Sequence, residues 1–383
     1  MGKHRVEFLN VKSLVRILIK KIFNKENNMT TTLFTPTTLG QLQLKNRIVM
    51  APLTRSRAIG NVPNELMEKY YRLRAGAGLI ITEGTSPSPN GLGYARIPGI
   101  YNDAQVQGWR RVTDGVHQAG GKIFMQLMHT GRVSHPANMP TGTKVLAPST
   151  IATPGEMWTD SNGLQPHPVP TEMNEADIAH AIAEYATAAK RAIEAGFDGV
   201  ELHAANSYLI DQFLNTASNQ RTDRWGGSIE NRIRFAVEVA KAVAVAIGAD
   251  HIGMRISPYS VFNGMTPDAE MDALYERLIA ELNGIGLVYI HIVDHSSMGA
   301  PEVSPVLKEK IRAAFEGKYI LSGGYDLTRA NVDLDLQRGD LVAFGRPFIS
   351  NPDLVEKLRN ASPLASPDSN TFYTPGEKGY TDY

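Results

Sequence analysis

The sequence of 383 residues contains no cysteine. This absence excludes disulfide bonds, thiolate metal sites, iron–sulfur clusters and a cysteine nucleophile. Net charge is lacking too, because 39 Lys and Arg balance 39 Asp and Glu, and a neutral net charge gives no electrostatic argument for nucleic-acid binding. No apolar run approaches the ~18 residues of a transmembrane helix. The lack of cysteine leaves the redox compartment open. We expect a globular, cytoplasmic protein whose partners are small molecules.

Several sequence motifs that mark catalytic or nucleotide-binding sites are also missing. The chain has no G-x-G-x-x-G turn, no P-loop, no G-x-S-x-G elbow and no H-E-x-x-H pair. It therefore gives no support to a serine hydrolase, and it predicts no metal site. His291 and His295 accompany a predicted strand, and we interpret them as hydrogen-bonded polar residues with at most an indirect role.

From Phe34 onward, short apolar strands alternate with helix-favouring segments. The clearest helix runs over 174–195, with Asn174 as a favourable N-cap, and 230–247 and 268–283 are similar. The alternation predicts an α/β fold, the (β/α)8 or TIM barrel. A doubly wound sheet would alternate likewise, but it usually carries a glycine-rich turn after its first strand, where this chain has Pro52-Leu53-Thr54. The predicted strands are 47–51, 79–82, 122–127, 199–202, 251–256, 288–293, 319–321 and 341–344.

Two segments stand apart from the alternation. Residues 131–172 form a long proline-rich connection, which we interpret as an excursion over the barrel mouth within one domain, 29–383. Residues 1–28 carry seven Lys and Arg against two Glu, with apolar residues at helical spacing. That pattern is typical of a basic amphipathic helix, such as a membrane-surface anchor or a presequence. We favour a simpler interpretation, in which Met29 is the start and 1–28 is not part of the fold.

The segment 198–213 carries the strongest functional signal. A predicted strand runs directly into His203, and Asn206 and Tyr208 follow within five residues. Side chains at the carboxyl end of a barrel strand face whatever binds over the sheet. His203 and Asn206 together could bind one oxygen atom, and Tyr208 could donate a proton. The alternative is a hydrogen-bonded core histidine beside a packed tyrosine.

Other strand ends suggest an anion site. Gly323 and Gly324 follow the seventh predicted strand, and Gly345 and Arg346 follow the eighth. These two loops commonly bind phosphate in barrels, although a turn with a surface arginine would show the same residues. Arg255 ends the fifth strand near the barrel axis, where a cation is costly unless it meets an anion or an electron-rich ring.

Over nearly all residues from about Leu33 to Tyr383, the chain resembles the Old Yellow Enzyme family of FMN-dependent ene-reductases. Within that family it is most similar to the bacterial N-ethylmaleimide and pentaerythritol tetranitrate reductases. The matching stretches are KNRIVMAPLTR at 45–55, QLMHTGR at 126–132, the segment 203–213, SNQRTDRWGGSIENR at 218–232, AFGRPFISNPDL at 343–354 and GYTDY at 379–383.

The resemblance implies FMN bound without a covalent link at the barrel mouth. Thr54 would hydrogen-bond the flavin O4, and Arg255 would lie beside the N1–C2 edge, where the reduced ring is anionic. The other implied cofactor contacts are the ring-holding Pro52, Gly84 and Gln126 and the phosphate-binding Gly323, Gly324, Gly345 and Arg346.

The resemblance also implies a two-step reaction. NADPH or NADH reduces the flavin and leaves, and an electron-poor alkene (an enone, maleimide or nitroalkene) takes its place. His203 and Asn206 match the pair that binds the carbonyl or nitro oxygen. Hydride passes from flavin N5 to Cβ, and Tyr208 matches the proton donor to Cα.

Three further residues match the family's substrate pocket: Tyr94, Met128 and Tyr373. Met128 departs from the pattern, because near relatives carry tryptophan there. A thinner, more adaptable side chain leaves the chemistry unchanged but alters the expected substrate range.

The sequence leaves alternatives open. The same site would suit a reductase that acts mainly on nitrate esters or nitroaromatic compounds. A flavin-free barrel lyase and a non-catalytic flavin-binding protein belong to other classes. The preference between NADPH and NADH is also open, as is the choice between monomer and dimer.

Overall fold

A computed structural model describes residues 31–383 of the chain. The predicted basic helix at 1–28 lies outside the described residues. The strands in chain order are β1 (Thr37–Leu39), β2 (Leu42–Leu44), β3 (Ile48–Met50), β4 (Leu79–Ile81), β5 (Ile123–Leu127), β6 (Leu146–Ala147), β7 (Glu156–Thr159), β8 (Gly163–Pro166), β9 (Thr171–Glu172), β10 (Gly199–Ala204), β11 (Ile252–Ile256), β12 (Tyr289–Val293), β13 (Lys318–Ser322) and β14 (Leu341–Phe344).

The described α-helices fill the connections between the barrel strands and the C-terminal part of the chain. They are α1 (Glu65–Arg72), α2 (Asp103–Gln118), α3 (Glu175–Glu194), α4 (Leu209–Leu214), α5 (Ile229–Ile247), α6 (Met271–Ile285), α7 (Pro305–Ala314), α8 (Leu327–Asp335), α9 (Arg346–Ser350) and α10 (Leu354–Arg359). None of these helices is long and apolar enough to cross a membrane.

Eight parallel strands close into a barrel in the order β10-β11-β12-β13-β14-β3-β4-β5. This confirms the predicted (β/α)8 fold, and each of the eight predicted strand ranges overlaps one barrel strand. The strands are almost wholly buried because helices cover the outside and side chains fill the inside, which explains why most of their residues are apolar.

The helix predicted over 174–195 is α3, and its start shows why the sequence places it there. The Asn174 side chain accepts the Asp177 N–H, and the Asp177 carboxylate accepts the Asn174 N–H. This reciprocal capping box satisfies two N–H groups that a helix start leaves without partners. The predicted segments 230–247 and 268–283 correspond to α5 and α6, and their ends differ from the observed ones by at most three residues.

The barrel interior is apolar at its lower end and polar nearer the mouth. Phe124, Tyr289 and Leu341 belong to an apolar cluster inside the lower barrel. Tyr289 reaches across the interior because Gly253 leaves room, since a Cβ at Gly253 would lie 2.0 Å from the Tyr289 ring. Its hydroxyl thereby reaches the polar layer, where it contacts Glu201.

The long connection 131–172 contains its own small sheets. β6 pairs in parallel with β9, and β7 forms an antiparallel hairpin with β8. Residues of this hairpin line the cavity at the barrel mouth, so the connection reaches the carboxyl end of the barrel.

Candidate active site

A cavity of about 1490 Å³ opens at the carboxyl ends of the barrel strands, where enzymes of this fold place their sites. A Cβ at Gly84 would lie 2.4 Å from Met128 Sδ, so this buried glycine sits directly behind the methionine and is not part of the lining. All other residues that the sequence singled out for the site line the cavity: Pro52, Thr54, Tyr94, Gln126, Met128, His203, Asn206, Tyr208, Arg255, Gly323, Gly324, Gly345, Arg346 and Tyr373.

The turn after β10 aims polar groups into the cavity. Asn206 and Ser207 both adopt left-handed backbone conformations, with φ of 58° and 69°, which residues other than glycine seldom do. Two buried side chains hold the turn: Asp211 accepts the Ser207 N–H at 2.8 Å, and Ser257 accepts the Asn206 N–H at 2.9 Å. Burial raises the pKa of Asp211 to about 7. Strain at a functional turn is thus maintained by specific hydrogen bonds.

Tyr208 follows this turn as the N-cap residue of α4. Its ring lies 4.9 Å from the His203 ring in an edge-on arrangement, and its hydroxyl donates to the Tyr94 hydroxyl at 3.1 Å. Burial raises the pKa of Tyr208, and it raises the pKa of Tyr94 well above the ordinary value. Both phenols therefore keep their protons at neutral pH.

His203 is a neutral hydrogen-bonding group. It is 2% exposed, and its Nδ1 has no partner within residues 31–383. Burial, followed by the charge of Arg255, holds the pKa of His203 well below its ordinary value. The imidazole thus carries one N–H, which suits it to donate to a ligand oxygen rather than to act as a cation.

Arg255 is a buried cation that lacks a full set of partners. It is 7% exposed and lines the cavity, and its Nε makes no hydrogen bond to any described residue. Burial lowers the pKa of Arg255, but a guanidinium stays charged at neutral pH. An anionic or electron-rich group in the cavity would complete its interactions.

The counter-charge is Glu201, which is completely buried beneath the cavity. Its Oε1 accepts Gln126 Nε2 at 2.8 Å, and its Oε2 accepts His291 Nδ1 at 2.8 Å and the Tyr289 hydroxyl at 3.1 Å. Burial alone would raise the pKa of Glu201, but His291, Arg255 and Gln126 hold it below its ordinary value. Since Nε2 of Gln126 is engaged, its Oε1 is left for a ligand donor.

These contacts were not anticipated from the sequence. Glu201 was not singled out, although it lies two residues before His203 and so shares its inward face by strand alternation. The two histidines are hydrogen-bonded polar residues, as predicted, but their partners were not: His291 lies inside the barrel on Glu201, and His295 Nε2 lies 2.7 Å from Asn206 Oδ1. Although these histidines are four residues apart, each has a different partner. No group of three or more potential metal ligands occurs in the described part of the chain.

The loops after β13 and β14 form one side of the cavity. Gly323 and Gly324 have φ of 125° and 64°, and a Cβ at Gly323 would lie 2.1 Å from the carbonyl oxygen of Asp294. Packing by itself therefore requires glycine at Gly323. Beside them, a Cβ at Gly345 would have no neighbour closer than 3.6 Å, and Arg346 is exposed. Open backbone and an exposed guanidinium suit a phosphate group.

The cavity mouth carries exposed apolar side chains from two separate segments. Trp158 and Leu164 of the β7–β8 hairpin are 54% and 57% exposed, and Tyr373 near the C-terminus is 61% exposed. Arg96 fastens these segments together, since it pairs with Asp160 of the hairpin and donates to the Tyr373 carbonyl at 2.8 Å. The hairpin and the C-terminal segment thus form one connected rim.

Two buried arginines tie the C-terminal segment to the barrel. Arg55 donates to the Gly379 carbonyl at 2.6 Å, and Arg57 donates to the Phe372 carbonyl at 2.6 Å. Both guanidinium groups also lie over the Tyr380 ring, at 5.3 and 4.8 Å from its centroid. These contacts hold the wall that carries Tyr373.

Known proteins are similar to this chain in sequence and in fold. A sequence model of the NADH:flavin oxidoreductase / NADH oxidase family matches residues 32–365. A probable flavin mononucleotide-dependent alkene reductase of Leishmania infantum is 44% identical over 355 residues, covering 91% of this chain and 96% of that protein.

Two solved structures are similar along most of their length. Morphinone reductase in complex with tetrahydroNAD has 46% identity and a TM-score of 0.87, covering 92% of this chain and 96% of that one. An Old Yellow Enzyme homologue from Zymomonas mobilis has 39% identity and a TM-score of 0.88, covering 92% and 99%. The chain belongs to the NADH:flavin oxidoreductase / NADH oxidase family, of the Old Yellow Enzyme type.

Proposed function

We propose that the protein is an FMN-dependent ene-reductase that uses NADPH or NADH to reduce electron-poor C=C bonds in enones, maleimides or nitroalkenes. One observation carries the proposal: a neutral imidazole (His203), an amide (Asn206) and a protonated phenol (Tyr208) line one cavity with the buried cation Arg255. Two hydrogen-bond donors, a proton donor and a site for an electron-rich cofactor are the parts that this reduction needs.

The residues fit FMN. Arg255 has the unsatisfied Nε that an electron-rich ring would face, and Gln126 keeps Oε1 for a ring N–H. The loops at Gly323 and Arg346 suit the phosphate. The cavity of about 1490 Å³ exceeds the ~300–1,000 Å³ usual for one small ligand, which leaves room for a cofactor and a substrate. When bound, FMN would take hydride from the nicotinamide and supply it to Cβ of the alkene.

Residues of the chain bind the substrate oxygen and supply the proton. His203 and Asn206 donate hydrogen bonds to the carbonyl or nitro oxygen, where negative charge develops as Cβ receives hydride. Tyr208 transfers its proton to Cα, so the alkene gains one hydride and one proton. Once the Tyr208 proton has left, the hydrogen bond between the two phenols reverses: the Tyr94 hydroxyl, 3.1 Å away, donates to the charged Tyr208 oxygen and stabilises it.

The rival classes have less support. A barrel lyase or aldolase that forms a Schiff base needs a lysine in the site, and no lysine among residues 31–383 lines this cavity. A flavin-binding protein without activity would not need a proton donor aligned with two oxygen-binding groups. Reduction of nitrate esters and nitroaromatic compounds uses the same residues, so a direct comparison of substrates distinguishes it.

The first test is the cofactor and its turnover. We expect purified protein to be yellow, to release FMN on heating, to bleach anaerobically with NADPH or NADH, and to regain colour on addition of 2-cyclohexen-1-one. Mass spectrometry identifies the released cofactor, and stopped-flow absorbance compares both nicotinamides and then enones with nitrate esters. Release of FAD, or bleached protein that no alkene reoxidises, would contradict the proposal.

The second test concerns the loops proposed to bind the FMN phosphate. Arg346→Ala removes charge-assisted hydrogen bonds worth ~1.5–3 kcal/mol, so we expect the Kd for FMN to rise roughly 10- to 150-fold. Equilibrium dialysis followed by flavin fluorescence measures it. Arg277→Ala is the control, because Arg277 is an exposed arginine on α6 paired with Glu281, away from the cavity lining. Unchanged FMN retention in Arg346→Ala would show that the phosphate binds elsewhere.

A further inference from the structure

His295 is positioned on the amide of Asn206. It follows β12, is 7% exposed, and places Nε2 2.7 Å from Asn206 Oδ1. Its ring packs edge-on against Phe262, with centroids 4.7 Å apart at an interplanar angle of 78°. The histidine is therefore fixed by packing on one side and by the hydrogen bond on the other.

The hydrogen bond has a defined direction. Burial, with a smaller contribution from Arg255, lowers the pKa of His295 to about 4, so the ring is neutral at pH 7. A neutral ring with its proton on Nε2 donates to Oδ1 of Asn206. Because Oδ1 is then engaged, the part of the amide left for a ligand is Nδ2, with its two N–H groups.

The backbone of Asn206 is also fixed, which sets the position from which its side chain enters the cavity. Its N–H donates to Ser257 Oγ at 2.9 Å, and its carbonyl accepts Asn263 Nδ2 at 3.4 Å. The left-handed backbone conformation of Asn206 depends on these contacts. His295 is thus the described side chain that decides which end of the amide faces the cavity.

We propose that His295 is a positioning residue that keeps Nδ2 of Asn206 directed at the ligand oxygen, so that Asn206 presents only N–H donors to the ligand. The inference rests on the proposed function and specifies which ligand groups the site binds. Such a site selects groups that only accept hydrogen bonds, namely carbonyl, nitro and phenolate oxygens. It disfavours groups that offer only N–H donors at that position, such as ammonium groups, because their hydrogens would face the N–H groups of Asn206.

A double-mutant cycle tests this role. The variants are His295→Ala, His295→Gln, Asn206→Ala and the combined His295→Ala/Asn206→Ala, all with FMN saturating. The readouts are kcat and KM for 2-cyclohexen-1-one and the Kd of 4-cyanophenol from flavin absorbance. Loss of one oriented hydrogen bond of about 1 kcal/mol predicts a roughly five-fold weaker Kd and a similar loss of kcat/KM in His295→Ala.

Two results separate positioning from general structure. His295→Gln keeps an N–H donor, so it should recover most of the binding of 4-cyanophenol. In the Asn206→Ala background, His295→Ala should change Kd and kcat/KM by less than about two-fold, because the group it orients is gone. Equal FMN content in every variant establishes that the folds are intact.

Other results would overturn either the positioning role of His295 or the proposed function. Additive losses in the double variant, or no rescue by His295→Gln, would overturn the positioning role. If wild-type protein reduces no alkene, the proposed function fails. If wild type reduces cyclohexenone and the cycle is additive, only the role of His295 fails.

Discussion

Replacement of Tyr208 by Phe is expected to slow enone reduction on the order of 10²- to 10⁴-fold while leaving flavin reduction by NADPH unchanged. The substitution removes one hydroxyl and keeps the ring that packs against His203. The raised pKa of Tyr208 makes it a proton donor across neutral pH, so ionisation of Tyr208 itself should cause no loss of enone reduction between about pH 6 and 9. Stopped-flow measurement of the two half-reactions separates the steps.

The choice of substrate provides an internal control for Tyr208→Phe. A nitroalkene that receives hydride becomes a stable nitronate, which needs no immediate proton, so its reduction should suffer far less than that of an enone. Tyr94→Phe keeps the Tyr208 hydroxyl and should show a smaller loss with enones. Slower flavin reduction with untouched enone reduction would place the proton donor elsewhere.

Removal of the Glu201 carboxylate should produce the largest effect on stability. Glu201→Leu leaves three hydrogen-bond donors without their acceptor and removes the negative charge that offsets the buried charge of Arg255, and an uncompensated buried charge costs about 3–5 kcal/mol of unfolding free energy. Denaturant unfolding of the cofactor-free proteins measures this directly. FMN affinity should fall too, because Gln126 loses the contact that orients its amide.

A compensated variant separates charge from packing. Glu201→Leu combined with Arg255→Met removes both charges, so it should be more stable than Glu201→Leu alone. The wild-type protein adds a pH signature. The folded-state pKa of Glu201 lies below its ordinary value. The carboxylate therefore stabilises the fold at neutral pH, and this stabilisation is lost as the pH falls through the folded-state pKa. Equal stability of wild type and Glu201→Leu would show that the carboxylate does not balance Arg255.

Much of the site was predictable because barrels place it by rule. Apolar runs of strand length, separated by helices, indicate where each strand ends, and polar residues just beyond those ends converge on one face. The strand ends alone were enough to group His203, Arg255 and Gly323, and each of them lines the cavity. The family resemblance added what spacing does not contain, namely the cofactor, the class of substrate and the substrate carbons expected to receive hydride and proton.

The missed residues share one property: their roles depend on partners that are distant in the chain. Glu201 meets Tyr289 and His291, 88 and 90 residues away, through the closure of the barrel. His295 meets Asn206, 89 residues away, because the turns after two barrel strands approach each other. A histidine in an apolar strand has the same local sequence pattern whether it only packs in the core or hydrogen-bonds a buried carboxylate.

The sequence by itself determined the barrel, the excursion's length and the residues at the strand ends, since these follow from local periodicity and composition. Tertiary structure decided the direction of each polar group. It placed Gly84 behind Met128, engaged Oδ1 of Asn206 with His295, and set Glu201 beneath Arg255. The physical reason is that burial makes charge and hydrogen-bond direction costly to leave unpaired, and only the closed barrel determines which groups are buried together.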